Sequence, residues 1–206
     1  SLTISNCVVA FPEGFNLDVA EDLVLVGDEA PFRGDSRTMR AGLRLYAAAT
    51  EDLYGARLTV GRDLNIVGDA WLLPHTQGTS SAIVGIRVER DTIIAQAGGI
   101  DAHEKGFHSV PGNQNGPGAG KGVFAGGAYG GYGGHATESR DVYGSAVLPL
   151  DPGSPGGWYT WTGDHSSSGH GGGVISLLVG RDMVLEGLLR ADGGRGTYSR
   201  AGGGSG

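Results

Sequence analysis

Four aspartates occupy one column of a repeated phrase, and they are the residues of this chain best placed for charge chemistry. Asp22, Asp63, Asp91 and Asp182 each follow a valine by three residues: Val19, Val60, Val88 and Val179. Two residues before each valine stands Leu17, Leu58, Ile86 or Leu177, and six after it stands Leu25, Ile66, Ile94 or Leu185. If the phrases stack as neighbouring strands, like charges come within roughly 5 Å of one another. That is unfavourable without compensation. Backbone N–H groups and a nearby arginine could supply it, since Arg62, Arg90 and Arg181 directly precede three of the four aspartates, with Glu21 the exception. A calcium ion held at about 2.3–2.6 Å is the other remedy. The arginine pattern favours hydrogen-bonded corners without a metal.

The remaining candidate chemistry is thinner. Gly118-Ala119-Gly120-Lys121-Gly122 has the look of a phosphate loop, but Asn115 and Gly122 stand where that loop needs Gly and Ser or Thr. His75, His103, His108, His135, His165 and His170 show no converging ligand pattern, and surface histidines are expected. The sequence around Asp164-His165-Ser166 clusters along the chain, whereas a catalytic triad converges through the fold. Gly-x-Ser-x-Gly is absent. Asp101, Glu104 and Lys105, and Glu138, Arg140 and Asp141, could serve a polysaccharide-active enzyme. Solvated turn charges are the simpler reading. Tyr129, Tyr132, Trp158, Tyr159 and Trp161 could form a glycan platform, because an aromatic ring offers a flat apolar face to a sugar.

These residues need a scaffold, and the repeated phrase describes one. Apolar and polar residues alternate before the aspartate and again after it, which is the period of a half-buried strand. Asp at the break suits a corner, because its carboxylate accepts from nearby backbone N–H groups. Gly27, Gly68 and Gly187 then mark a second corner, where glycine admits positive φ. The valines lie 60 − 19 = 41, 88 − 60 = 28 and 179 − 88 = 91 residues apart, the scale of a solenoid coil with insertions. The expected fold is all-β, a right-handed parallel β-helix. The four phrases supply its predicted core: Leu17, Val19, Leu25, Leu58, Val60, Ile66, Ile86, Val88, Ile94, Leu177, Val179 and Leu185. Met39–Tyr54 could turn as helix, but Leu43, Leu45 and Ala47 alternate, so a strand is expected.

Composition divides the chain. Of 206 residues 41 are glycine; 9 lie in 1–97 and 41 − 9 = 32 in 98–206. Three regions are expected: irregular β-helix coils over 1–97, a glycine- and aromatic-rich loop lobe over 98–173, and a further coil over 174–206. Phe124, Tyr129, Tyr132, Tyr143, Trp158, Tyr159 and Trp161 give the lobe area with which to fold down on the coils. The formal charge is −7 with scattered basic residues, which argues against nucleic acid as a partner. No apolar run is long enough to span a membrane. The single cysteine, Cys7, is expected as a small strand side chain. The first residues read as a strand in progress and the last as a glycine-rich phrase, as in a piece of a longer chain.

The succession Gly116-Pro117-Gly118-Ala119-Gly120, Gly130-Gly131-Tyr132-Gly133-Gly134, Pro152-Gly153-Ser154-Pro155-Gly156-Gly157 and Gly171-Gly172-Gly173-Val174-Ile175 resembles the glycine-rich β-helix segments of large secreted and cell-surface proteins, adhesin-like or from appendages. The resemblance is closest over 98–206. It implies an extracellular or cell-surface location and a non-enzymatic structural role in a filament, adhesin or surface coat. It carries no catalytic residue and no cofactor. The implied partners are further segments of the same chain or other subunits, with glycans as a further possibility. A polysaccharide-active enzyme or carbohydrate-binding β-helix is the alternative.

Overall fold

The computed structural model describes residues 1–28, 39, 41–110, 113–121, 125–134, 142–145, 147–157, 159–161, 164–166 and 168–196. Among them every regular element is a strand. The chain winds through three all-parallel sheets, returning to each on every third strand. The first coil contains β1 (Leu2–Ser5), β2 (Val8–Ala10) and β3 (Leu17–Val19). The second contains β4 (Leu23–Val26), β5 (Ala41–Tyr46) and β6 (Tyr54–Val60). The third contains β7 (Leu64–Val67), β8 (Ala70–His75) and β9 (Ile83–Val88). The fourth begins with β10 (Thr92–Ile94) and β11 (Gly99–Asp101), and closes with β16 (Ser176–Val179). A partial fifth coil adds β17 (Met183–Leu185) and β18 (Leu188–Arg190). The protein is a parallel β-helix.

The register follows from the repeated phrase. Leu17 pairs with Leu58, Leu58 with Ile86, and Ile86 with Leu177, and the valines of the phrase stack in the same way. Leu25, Ile66, Ile94 and Leu185 stack in the first sheet. Equal side chains on successive coils pack as aliphatic columns, and a one-residue slip would turn a whole strand inside out. Val19, Leu25, Leu58, Val60, Ile66, Ile86, Val88 and Ile94 are buried as expected, and Leu17 and Leu177 pack against them half-buried. Val179 is half-buried and Leu185 exposed, because each lies on the last described strand of its sheet, β16 and β17. The second sheet adds the column Val9, Leu43, Leu72, Ile100 and Leu189. Ala41–Tyr46 is a strand, with Leu43 and Leu45 fully buried.

Three local expectations differ from the structure. Cys7 lies in the corner between β1 and β2, exposed and free, not within a strand. Of the second-corner glycines only Gly68 has a positive φ, at 65°. Gly27 is needed for a different reason: a Cβ there would sit 2.4 Å from the carbonyl oxygen of Asp69 on the next coil. Composition changes at residue 98, but the coil does not end there. β11 pairs with β8 below and β18 above, so the glycine-rich insertion spans 102–175 within one coil.

Among its described residues that insertion carries two short hairpins, β12 (Ser109–Val110) with β13 (Asn113–Gln114), and β14 (Tyr159–Trp161) with β15 (Asp164–Ser166). Elsewhere its glycine segments bond directly to one another. Gly106 donates to Gly171, Phe107 to Gly153, Gly153 to Gly172, Gly157 to Ala125 and Ala128 to Gly118, all at 2.7–3.0 Å. A Cβ on Gly171 would fall 1.7 Å from the Gly153 oxygen. At these positions the backbones lie too close for side chains, which explains the glycines there. At the lobe's base Gly173 donates to the Ala102 carbonyl over 2.8 Å.

Candidate functional site

The corner from the third sheet into the first brings the four aspartates into one line. The N–H of Asp63 donates to Asp22 Oδ1 at 3.3 Å, that of Asp91 to Asp63 Oδ1 at 3.1 Å, and that of Asp182 to Asp91 Oδ1 at 3.1 Å. Each carboxylate thus caps its own counterpart on the following coil. The arginine preceding that counterpart approaches the same oxygen. Arg62 Nε lies 3.5 Å from Asp22, Arg90 Nε 3.7 Å from Asp63, and Arg181 Nε 3.9 Å from Asp91. Carboxylates and guanidiniums therefore alternate along the stack, which answers the like-charge repulsion. Both partners are partly exposed, so each ion pair is worth about 0–1 kcal/mol. Among the described residues no group of three or more His, Cys, Asp or Glu side chains is disposed to hold a metal ion. None of them donates to the Asp182 carboxylate, at the last step of the ladder.

Of the expected platform residues, Tyr129 and Tyr132 are placed differently. Tyr129 packs edge-on against Tyr143 with ring centroids 5.2 Å apart, whereas Tyr132 projects outward, 69% exposed. Tyr159 and Trp161 lie on β14, and Trp158 falls outside the described residues. Tyr143 is tied into the lobe instead. Its hydroxyl donates to the Pro152 carbonyl and accepts from Ser154 Oγ at 2.8 Å, and that same oxygen accepts from the N–H of Gly118 at 3.0 Å. Burial pushes the Tyr143 phenol well above its ordinary value.

His75, His108 and His170 gather where the lobe meets the second sheet. The His108 and His170 rings lie 5.1 Å apart, and His75 stacks on Tyr46 at 4.4 Å. Burial, then the positive charges of Lys105, Arg44 and His108, hold His75 down to about 3 against the opposing pull of Asp101. Its Nε2 is buried and makes no hydrogen bond. Burial likewise lowers His108 and His170. Asp101 is buried and accepts from the N–H of His103 at 2.8 Å, while the Glu104 carboxylate lies 3.7 Å from His103 Nε2. Glu138, Arg140 and Asp141 lie outside the described residues.

Sequence reasoning missed a cleft on the outer face of the third sheet, between Tyr54, Arg57, Thr59, Gly85, Arg87, Ser176 and Leu178. Its walls are the polar positions that alternate with the core columns. Only the register of β6, β9 and β16 brings them together.

Stacked coils, an aspartate ladder along one corner and an insertion within one turn define a parallel β-solenoid. The chain matches no protein-family model, no curated protein and no solved structure.

Proposed function

We propose that this chain is a non-enzymatic structural segment of an extracellular filament, adhesin or surface coat, and that it works by being continued through stacking. The observation that carries this reading is the fifth coil. Met183, Leu185 and Leu189 occupy core columns, yet are 39%, 47% and 37% exposed. In the coils beneath, Leu64, Ile66 and Leu72 are fully buried in the same columns. Among the described residues β17 and β18 are the last strands of their sheets, and an open edge is a template for further pairing. A further coil, from the same chain or another subunit, would cover these side chains and supply Asp182 with the donors its counterparts have. The ladder's acidic residues are occupied in holding coils together, which favours a scaffold over catalysis. The glycine-rich sequence style supports the extracellular setting.

Sedimentation velocity over a concentration series tests the stacking. End-to-end association is expected, and Leu185→Lys should abolish it by placing a charge in the exposed column. A chain that stays monomeric at every concentration would remove subunit stacking from the proposal.

A further inference from the structure

The cleft is a separate feature on the outer face of the third sheet, running from β6 to its edge strand β16. It encloses about 250 Å³, below the roughly 300–1,000 Å³ of sites for drug-sized ligands, and so of a size for a single ring. Its floor is Gly85, flanked in register by Arg57 and Ser176. Tyr54 lies across that floor, and a Cβ on Gly85 would strike its ring at 2.7 Å. The Tyr54 hydroxyl reaches to 3.4 Å from Ser176 Oγ. The opposite wall is the next outward row, Thr59, Arg87 and Leu178.

The two arginines differ. Arg87 is held by Glu89 through two contacts, 2.5 Å from Nε and 3.2 Å from a terminal nitrogen. Arg57 faces no carboxylate among the described residues; its guanidinium lies over the Tyr54 ring, 5.6 Å from the centroid. Stacking on an aromatic orients an arginine without neutralising it. One oriented, uncompensated cation therefore stands beside a phenol, two hydroxyls and an exposed leucine, on a chain of net charge −7. A guanidinium matches a carboxylate through two parallel hydrogen bonds.

We propose that this cleft binds one acidic sugar ring, a uronate unit of a polyanionic glycan. Arg57 takes the carboxylate, Thr59, Ser176 and the Tyr54 hydroxyl meet the ring hydroxyls, and Leu178 covers its apolar face. The site uses none of the aspartate ladder's residues.

Calorimetric titration of the whole chain with trigalacturonate, and separately with cellotriose, tests the proposal. Trigalacturonate should bind, and cellotriose should bind at least about tenfold more weakly, since it lacks the charged partner. Arg57→Gln should weaken trigalacturonate by a similar factor. Lys121→Gln, at an exposed cation in the lobe, should leave it unchanged. Because Arg57 is exposed, its variant should melt as the parent does, which a thermal scan checks. Absence of trigalacturonate binding, equal affinity for the neutral sugar, or equal weakening by both variants would overturn the assignment.

Discussion

Asp63 gives its backbone N–H to the carboxylate of Asp22, the residue that holds the same place one coil earlier. Arg62 approaches that carboxylate from the same coil as Asp63. The corner is therefore a joint between coils as well as a turn within one, and each joint can be broken singly.

Asp63→Asn should be mild. The amide oxygen still accepts from the N–H of Asp91, and only the attraction to Arg90 is lost, under about 1 kcal/mol for so exposed a pair. Asp63→Ala leaves the N–H without its acceptor and should cost about 1–2 kcal/mol. Neither the parent nor Asp63→Asn should change melting temperature in chelator. A large loss in chelator that calcium restores would make these corners metal sites.

Stability should fade toward the fifth coil. Leu58→Ala removes a fully buried side chain and should cost about 2–5 kcal/mol in urea unfolding. Leu185→Ala, in the inward column of the first sheet but 47% exposed, should cost under about 1 kcal/mol. Equal costs would mean that the fifth coil is covered in solution.

Thr92 breaks an aliphatic column. It pairs with Leu64 below and Met183 above, is fully buried, and its hydroxyl has no hydrogen-bond partner. Thr92→Val keeps the shape and removes the unsatisfied group, so it should raise stability by about 1 kcal/mol. Urea midpoints at unchanged slope would show it.

The pH response follows from His75. Its folded value, about 3, lies below its ordinary 6.5, so between those values the unfolded chain binds more protons. The contribution is fully present above pH 6.5 and is lost as pH falls toward 3. On the order of 1–2 kcal/mol should be gone by pH 5. His75→Gln should flatten the slope of stability against pH between 6.5 and 4, and an unaltered slope would assign it to other groups.

The solenoid was legible because its columns are short-range patterns: the residues that pair across coils are those that align in sequence, from Leu17 through Leu177. The aspartate corner was legible as a column, although sequence could not show that Arg62 serves Asp22 and not its neighbour Asp63. The lobe resisted for a physical reason. Gly106 and Gly171 are joined by a backbone bond, and glycine carries no side-chain pattern to announce its partner. The cleft of Tyr54 and Arg57 was hidden because outward positions follow no apolar rule.

The lobe's place within one turn also orders events in time. The Asp63–Asp91 joint closes a loop of 28 residues, whereas the Asp91–Asp182 joint spans 91. For a flexible chain that difference adds about 1 kcal/mol of closure entropy, and long-range pairing of this kind slows folding. The bond from Gly173 to Ala102 draws the two ends of the insertion together, so a collapsed lobe shortens the loop that remains. The fifth coil is therefore expected to dock late in folding. Gly171→Ala, which would drive a Cβ into the Gly153 carbonyl within the lobe, should slow that docking in stopped-flow refolding.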